Sequence, residues 1–351
     1  MLSSDGGGFV LIRAGHSSFV GKPNPSRDGV EMHGVLPNFF VVGAAKSGTT
    51  SIYRYLRQHP DVYMPAVKEP HWFSRLEPNP RQGFRPVTSE EEYLSLFEGW
   101  RGERAIGEAS PSYLWDSKAP ERIQRSVPEA KILMLLREPV DRAFSHYLAD
   151  VRYGIQRKPF YEALRRDYAE PAKGWGKSHL YVELGLYCRQ VSRYLERFGE
   201  GNVLILFFEE VFADPGSTRR ALERVLEFLG VDPSGARNIR FERKHNPHAV
   251  PRAATKHLAL GAPAARKAVQ RVLPPRWKRL LSRNRLLFRR AEKPVMEVPA
   301  IEFLRRIYEP ELICLEKLLG RELPWKSWSE ALSEAHEQHN DVRDQEERPK
   351  S

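Results

Sequence analysis

The chain has 351 residues, of which 41% are hydrophobic and 29% charged, as expected for a folded globular protein with one large domain or two modest ones. No stretch reaches the roughly 18 to 20 apolar residues that cross a bilayer, and the N-terminus lacks the pattern of a signal peptide. The formal net charge of +11 indicates an anionic partner, which could be a nucleotide, an acidic substrate, a membrane surface or a nucleic acid.

The order of elements along the chain predicts a doubly wound α/β fold. Residues 1–36, rich in Gly, Ser and Pro, are interpreted as a flexible arm. Nearly continuous apolar runs predict buried parallel strands at Phe39–Gly43, Ala105–Gly107, Lys131–Leu136 and Asn202–Phe208. Apolar residues at helical spacing predict intervening helices at Thr50–Gln58, Val140–Val151, Leu186–Phe198 and Ser217–Leu229. One domain is therefore expected over residues 37–330, followed by a disordered polar tail, 331–351.

The strongest motif is the stretch GAAKSGTT, Gly43–Thr50, which follows the first predicted strand and opens the first predicted helix. Backbone N–H groups of such a turn close around an anion at the helix N-terminus. The glycine spacing resembles a nucleotide-triphosphate P-loop, but Thr49 stands where that loop has lysine, and Lys46 lies inside the turn. The loop therefore suits a single 5′-phosphate better than a triphosphate.

Two other function classes remain open at this stage. A P-loop nucleotide kinase or NTPase would use the same strand, turn and helix, although the displaced lysine argues against it. A non-catalytic basic binding module would explain the charge without any chemistry. A requirement for Mg²⁺ with ATP hydrolysis would favour the kinase. Full function after the substitution Glu69→Gln, at a glutamate that an enzyme could use as a base, would favour the binding module.

Four blocks of the sequence, in order, resemble the PAPS-dependent sulfotransferase family, in its heparan-sulfate-type and bacterial branches. They are VVGAAKSGTTSIYRYLRQHPDVYMPAVKEPHWF, GEASPSYL, LREPVDRAFSHY and ILFFEEVFADP. The resemblance implies a P-loop-like parallel sheet and transfer of a sulfuryl group from PAPS (3′-phosphoadenosine 5′-phosphosulfate). The implied acceptor is a hydroxyl, with an amine as second choice, on a carbohydrate or other small or lipid-linked molecule. The product would be PAP, and no metal would be required.

The resemblance also implies which residues bind the donor. Residues that would contact the 5′-phosphosulfate are Lys46, Ser47, Gly48, Thr49, Thr50 and Ser51. Arg137 and Ser145 would bind the 3′-phosphate, for which the planar guanidinium of arginine is well suited. Arg252 is implied in a loop that returns over the same phosphate. Arg142 is predicted to be an exposed helix charge instead of a phosphate ligand.

On the acceptor side, the resemblance makes Glu69 the base that removes the acceptor proton. His71 is the second candidate base or an orienting partner. Lys46 would neutralise charge that develops on the bridging oxygen as the S–O bond breaks. A surface ion pair between Glu69 and Lys68 is the alternative interpretation of the glutamate.

Two positions depart from the heparan-sulfate-type pattern. Ser74 stands where that pattern often has an acidic residue, and Ala109 stands where it tends to have lysine. Both departures lie on the acceptor side. They disfavour a glycosaminoglycan substrate and leave the donor residues unaffected.

The basic charge is concentrated in residues 243–291, which contain fourteen Lys and Arg and no Asp or Glu. Within it, residues 264–290 mix cationic and apolar side chains, which favours a helical flap packed on the core. Contact with an anionic membrane surface is the alternative. Nucleic-acid binding is not expected, because no recognised reading motif accompanies the charge.

Cys188 and Cys314 are the two cysteines of the chain. Two cysteines make no disulfide framework, and their spacing matches no metal site. They are predicted to be buried or half-buried thiols, and a cytoplasmic location is the corresponding expectation.

Overall fold

The computed structural model of the protein describes residues 34–79, 84–152, 154–241, 249–251, 288–290 and 296–325. Its centre is a five-stranded parallel sheet with strand order β2-β3-β1-β4-β5. The strands are β1 (Phe39–Gly43), β2 (Val62–Tyr63), β3 (Ala105–Ala109), β4 (Lys131–Leu136) and β5 (Val203–Phe207). All four predicted strands are present, and the two-residue edge strand β2 is too short to leave a sequence pattern.

Helices cover both faces of the sheet. They are α1 (Thr49–Leu56), α2 (Glu90–Ser95), α3 (Ser112–Trp115), α4 (Ala119–Ser126), α5 (Pro139–Arg152), α6 (Phe160–Ala169), α7 (Tyr187–Phe198), α8 (Phe208–Val211), α9 (Pro215–Leu229) and α10 (Val298–Leu319). Successive residues of β1 alternate between two cores: Phe39 packs in the one that includes α1 and α9, and Phe40 in the one that includes α4, α7 and α10. This confirms the predicted doubly wound α/β architecture.

The two cysteines form a disulfide bond, so the prediction of free thiols is wrong. Cys188 lies in α7 and Cys314 in α10, with their Cα atoms 5.8 Å apart. A sequence separation of 126 positions hid this pairing, which depends on α10 packing against α7. Disulfides persist mainly in oxidising compartments. The cytoplasmic location therefore loses its main support and stays a prediction.

A short antiparallel ribbon pairs a strand near the start of the basic segment with a strand near its end. Its strands are β6 (Ala249–Pro251) and β7 (Phe288–Arg290). The last three residues of the expected helical flap are thus a strand, since they pair with β6 instead of continuing a helix. The remainder of the flap and Arg252 lie outside the described residues, and membrane contact there stays a prediction. Within the part of the chain that the structure describes, no helix has the length and apolar character needed to span a bilayer.

Candidate active site

The turn between β1 and α1 forms a cradle at the carboxyl edge of the sheet. Gly48 precedes the first residue of α1 and has a φ of 92°, a conformation that favours glycine. A Cβ at this position would lie 2.5 Å from the ring of Phe212. The glycine therefore lets the turn lie against that ring, and the free N–H groups at the start of α1 remain at the open side.

The six residues implied in 5′-phosphosulfate binding all lie on this turn or the first turn of α1. Ser47 and Thr49 are buried, Lys46 and Ser51 are half-buried, and Thr50 is exposed. Burial lowers the pKa of the Lys46 ammonium, and the carboxylates of Asp150 and Glu69 oppose that shift. Lys46 thus lies within the electrostatic reach of the acceptor-side glutamate.

Arg137 follows β4 and reaches the same turn. Its Nη1 donates a hydrogen bond to the carbonyl oxygen of Lys46 at 3.4 Å, and its guanidinium lies 4.6 Å from the centre of the Phe208 ring. The Nε of Arg137 is buried without a hydrogen-bond partner among the described residues. Ser145 lies half-buried two turns into α5, beyond Arg137 in the chain.

Arg142 is fully buried, so its prediction as an exposed helix charge is wrong. Its Nη2 donates to the carbonyl oxygen of Tyr181, whereas its Nε and Nη1 have no hydrogen-bond partner among the described residues. Its positive charge contributes to lowering the pKa of Lys46. Lys46, Arg137 and Arg142 therefore concentrate positive charge at the turn, and unpaired buried donors are costly unless an anion satisfies them.

Glu69 lies across from the turn, at the carboxyl end of β3. Its backbone N–H donates to the carbonyl oxygen of Ala109 at 3.0 Å, which holds it beside the sheet. Its side chain is 39% exposed and forms an ion pair with Lys68. The expected surface ion pair thus exists, but the same carboxylate also lies 3.8 Å from Nε2 of His71. Glu69 therefore contacts both Lys68, as an ion pair, and His71 of the candidate site.

His71 is buried and held by hydroxyl groups. Its Nδ1 lies 2.6 Å from Oγ of Ser112, which in turn lies 2.7 Å from Oγ of Ser74. Its backbone N–H donates to Oγ of Ser110 at 3.0 Å. Burial lowers the pKa of the imidazole to about 4, so the ring is neutral near pH 7 and is a weaker base than an exposed histidine. Ser74, noted only as a departure from the family pattern, is thus part of the support of this histidine.

A buried carboxyl group, Glu108, lies behind this part of the site. It accepts hydrogen bonds from the hydroxyl of Tyr93 at 2.7 Å and from Oγ of Ser110 at 2.6 Å. Burial raises the pKa of Glu108 to about 7, against which these donors act. Because Ser110 also accepts from the backbone of His71, the glutamate supports the histidine through one intervening hydroxyl.

The structure therefore brings Lys46, Arg137, Glu69 and His71 to one edge of the sheet, where ligands of doubly wound folds bind. Arg142, Glu108 and Ser112 also belong to this region, although sequence reasoning assigned them no role. These residues lie in the stretches EASPS and DRAFS, which the sequence analysis had singled out. A motif does not reveal which of its side chains are buried, so their place in the site could not be predicted. Among the described residues, no group of three or more His, Cys, Asp or Glu side chains is placed to hold a metal ion.

The turn from β1 to α1, faced by a neutral histidine and a glutamate, is therefore the candidate active site. The model of the sulfotransferase domain matches residues 36–250, which is more than half of the chain. The chain therefore belongs to the sulfotransferase family.

Curated relatives and one solved structure agree with this family. Carbohydrate sulfotransferase 15 of Rattus norvegicus is 29% identical over 251 residues, covering 56% of this chain and 44% of the relative. Heparan sulfate glucosamine 3-O-sulfotransferase 3A1 of Mus musculus is 29% identical over 201 residues, covering 56% of this chain and 46% of the relative. The chain thus spans less than half the length of these relatives. The crystal structure of a sulfotransferase from Alicyclobacillus acidocaldarius is 32% identical, with a TM-score of 0.62, covering 82% of this chain and 98% of that one.

Proposed function

We propose that the protein transfers the sulfuryl group of PAPS to a hydroxyl group of a carbohydrate or other small acceptor and releases PAP. The observation that carries this proposal is the positive charge of Lys46, Arg137 and Arg142 around the turn before α1, together with buried guanidinium N–H groups of both arginines that have no hydrogen-bond partner among the described residues. A donor with phosphate groups at two separate positions would satisfy these cations.

The donor residues fit such a nucleotide. The turn at Gly48 presents backbone N–H groups to one phosphate, and the unpaired Nε of Arg137 lies at the end of the neighbouring strand. Lys46 stands in the turn itself and not after its second glycine, so its charge is close to the 5′-phosphate. The 5′-phosphosulfate would therefore bind over the turn, with the 3′-phosphate toward Arg137 and Ser145.

The acceptor residues fit proton removal. The acceptor oxygen attacks sulfur while the bond between sulfur and the bridging phosphate oxygen breaks. The acceptor proton passes to Glu69, and the leaving electron pair stays on the 5′-phosphate of PAP, where Lys46 neutralises it. Neutral His71, 3.8 Å from Glu69, orients the acceptor hydroxyl or replaces the glutamate as base. Holding both reactants in line contributes further to the rate.

The relatives of the chain favour a carbohydrate acceptor. These are carbohydrate and heparan sulfate sulfotransferases, which favours a hydroxyl on a sugar ring over an amine. Ala109 lacks the lysine of the heparan-sulfate-type pattern, so an acceptor without many anionic groups fits better than a glycosaminoglycan.

Calorimetric titration tests the donor assignment. Wild-type protein is titrated with PAP, with ATP and with ATP plus Mg²⁺, and the PAP titration is repeated with Arg137→Ala. We expect micromolar PAP binding that weakens by about 100-fold in this variant, as for loss of a charged hydrogen-bond partner. Arg165→Ala, an exposed arginine of α6, is the matched control and should bind PAP normally. Binding of Mg·ATP without PAP binding would instead favour a kinase.

A further inference from the structure

Two aromatic side chains lie beside His71 on the acceptor side, and a third lies beside one of them. The ring centre of His71 lies 5.1 Å from that of Phe84 and 5.6 Å from that of Trp175. Trp175 lies 6.5 Å from Trp115. Phe84, Trp115 and Trp175, which we call the aromatic wall, are each half-buried, whereas His71 is buried. The wall therefore presents ring surface to solvent next to the reacting groups.

The rings come from three separate segments that hydrogen bonds fasten together. Asn79 and Phe84 exchange two backbone hydrogen bonds, of 3.0 and 3.1 Å, and form an isolated antiparallel bridge. Nδ2 of Asn79 donates to the carbonyl oxygen of Gly176 at 2.5 Å, which joins this bridge to the turn that carries Trp175. Gly176 has a φ of 74°, and a Cβ there would lie 3.3 Å from the ring of Phe84. Close contact between the two segments thus favours glycine.

The turn that carries Trp175 is also fixed from its other side. Asp167 of α6 accepts hydrogen bonds from the backbone N–H groups of His179 at 2.7 Å and Tyr181 at 2.9 Å. Within the turn, the N–H of Ser178 donates to the carbonyl oxygen of Gly174 at 3.0 Å. Trp175 is therefore held by a defined backbone.

Trp115 ends α3, directly after the motif that supplies Ser112. Nη2 of Arg193 donates to the carbonyl oxygens of Leu114 at 3.1 Å and Trp115 at 3.3 Å. This arginine ties the end of α3 to α7. The backbone that carries each ring of the aromatic wall is consequently fixed by hydrogen bonds, which lowers the entropic cost of binding a rigid ligand.

The charge around His71 is nearly balanced. The charged groups that act on its imidazole are Glu69 and Lys68, which form an ion pair with each other. Aromatic faces attract the apolar face of another ring, and recognition sites combine such surface with a few polar groups. A chain with several sulfates or carboxylates would meet this apolar surface and the carboxylate of Glu69, which is unfavourable.

We propose that the aromatic wall binds the acceptor, and that the acceptor is an uncharged ring with an apolar face and a hydroxyl group at its edge. This inference rests on the proposed function, because it assigns the wall to the hydroxyl that Glu69 deprotonates. A phenol and a neutral sugar share this chemistry. Stacking on Trp175 directs the ring edge toward His71 and Glu69.

The test measures ligand binding to the PAP-loaded protein by saturation-transfer NMR. The probes are 2-naphthol for a phenol, methyl β-cellobioside for a neutral sugar, and an N-sulfated heparosan hexasaccharide for a polyanion. We expect saturable binding of at least one neutral probe. Trp175→Ala should weaken it by about tenfold, Trp175→Phe by less, because the phenylalanine ring retains part of the stacking surface.

Tyr168→Ala is the control, because this exposed ring of α6 contacts Phe303 and Lys173 rather than His71. It should leave the affinity for the probe unchanged. The inference is overturned if neither neutral probe binds, if Trp175→Ala leaves the affinity unaltered, or if the hexasaccharide binds more tightly than both neutral probes. Since PAP affinity is measured first, failure of the donor assignment is distinguishable from failure of the acceptor assignment.

Discussion

The donor side and the acceptor side of this site are built in different ways. The donor side is one continuous turn, Gly43–Thr50, joined by Arg137 from the end of the adjacent strand. The acceptor side collects residues from the segments around His71, Ser112 and Trp175, which are far apart in the sequence. Under the proposed function, the first arrangement binds the phosphosulfate that every donor of this class carries, whereas the second can change segment by segment. Reaction class is therefore encoded locally, and acceptor choice is encoded by tertiary contacts.

The largest expected effect is on the donor side. Lys46→Ala should lower the rate of sulfuryl transfer from PAPS by about 1,000-fold, since it removes the cation nearest the leaving oxygen. Transfer to 2-naphthol, followed by PAP release, measures it. PAP binding should weaken less than the rate falls, because charge on the bridging oxygen grows during the reaction. If the transfer rate and the PAP affinity fell by the same factor, Lys46 would contribute to donor binding only and not to stabilisation of the transition state.

The buried carboxyl group of Glu108, which lies behind His71, makes the stability of the protein depend on pH. Its raised pKa means that the folded state holds a proton that the unfolded chain releases above its ordinary pKa near 4.5. Stability from this group is therefore complete below pH 4.5 and is lost as the pH rises through about 7. The loss is on the order of 3 kcal/mol for one such group.

Glu108→Gln removes this titration. Its free energy of unfolding, measured with urea at pH 5 and pH 7.5, should change less with pH than that of the wild type. Glu92→Gln, an exposed glutamate of α2, is the control and should follow the wild type. The same pH dependence in Glu108→Gln and the wild type would show that Glu108 is ionised in the folded protein across this range.

On the acceptor side itself, Glu69→Gln should lower kcat by about 100-fold and leave PAP affinity unchanged, because only proton removal is lost. The assay is the same transfer to 2-naphthol. The Lys68→Met variant controls for loss of the ion pair. Wild-type turnover of Glu69→Gln would exclude Glu69 as the base and leave that role to His71.

The smallest expected effect concerns the hydroxyl beside His71. Ser112→Ala should lower kcat by about tenfold, because Nδ1 of His71 loses the partner that fixes its tautomer and orientation. Ser112→Thr should restore most of the rate. The ¹⁵N chemical shifts of the imidazole, which report the tautomer, should change in Ser112→Ala. If they stay constant while the rate falls, Ser112 acts on something other than the ring.

The sequence allowed the sheet and the donor turn to be predicted because their signals are local. Apolar runs marked four strands, and the glycines of the turn marked the cradle. Arg142 was misjudged because Ala143, Phe144 and Tyr147 defined one apolar face of α5, while Tyr181 and Tyr308 also enclose the opposite side. The arginine is buried by elements that are remote in sequence.

The disulfide and the aromatic wall escaped prediction for the same reason. Cys188 and Cys314 become neighbours only when α10 packs on α7. Trp175 reaches His71 because Asn79 and Asp167 fasten its turn from two sides. Local periodicity carries no information about such pairings.

A crystal structure of the protein with PAP tests the central claim most directly. We expect the 5′-phosphate of PAP to lie over the turn of Lys46–Ser51 and its 3′-phosphate to lie within hydrogen-bond distance of Arg137 and Ser145. We also expect the 5′-phosphate to face Glu69 and His71 across a gap that admits an acceptor hydroxyl. PAP bound away from this turn, or with its 5′-phosphate directed away from Glu69, would contradict the account.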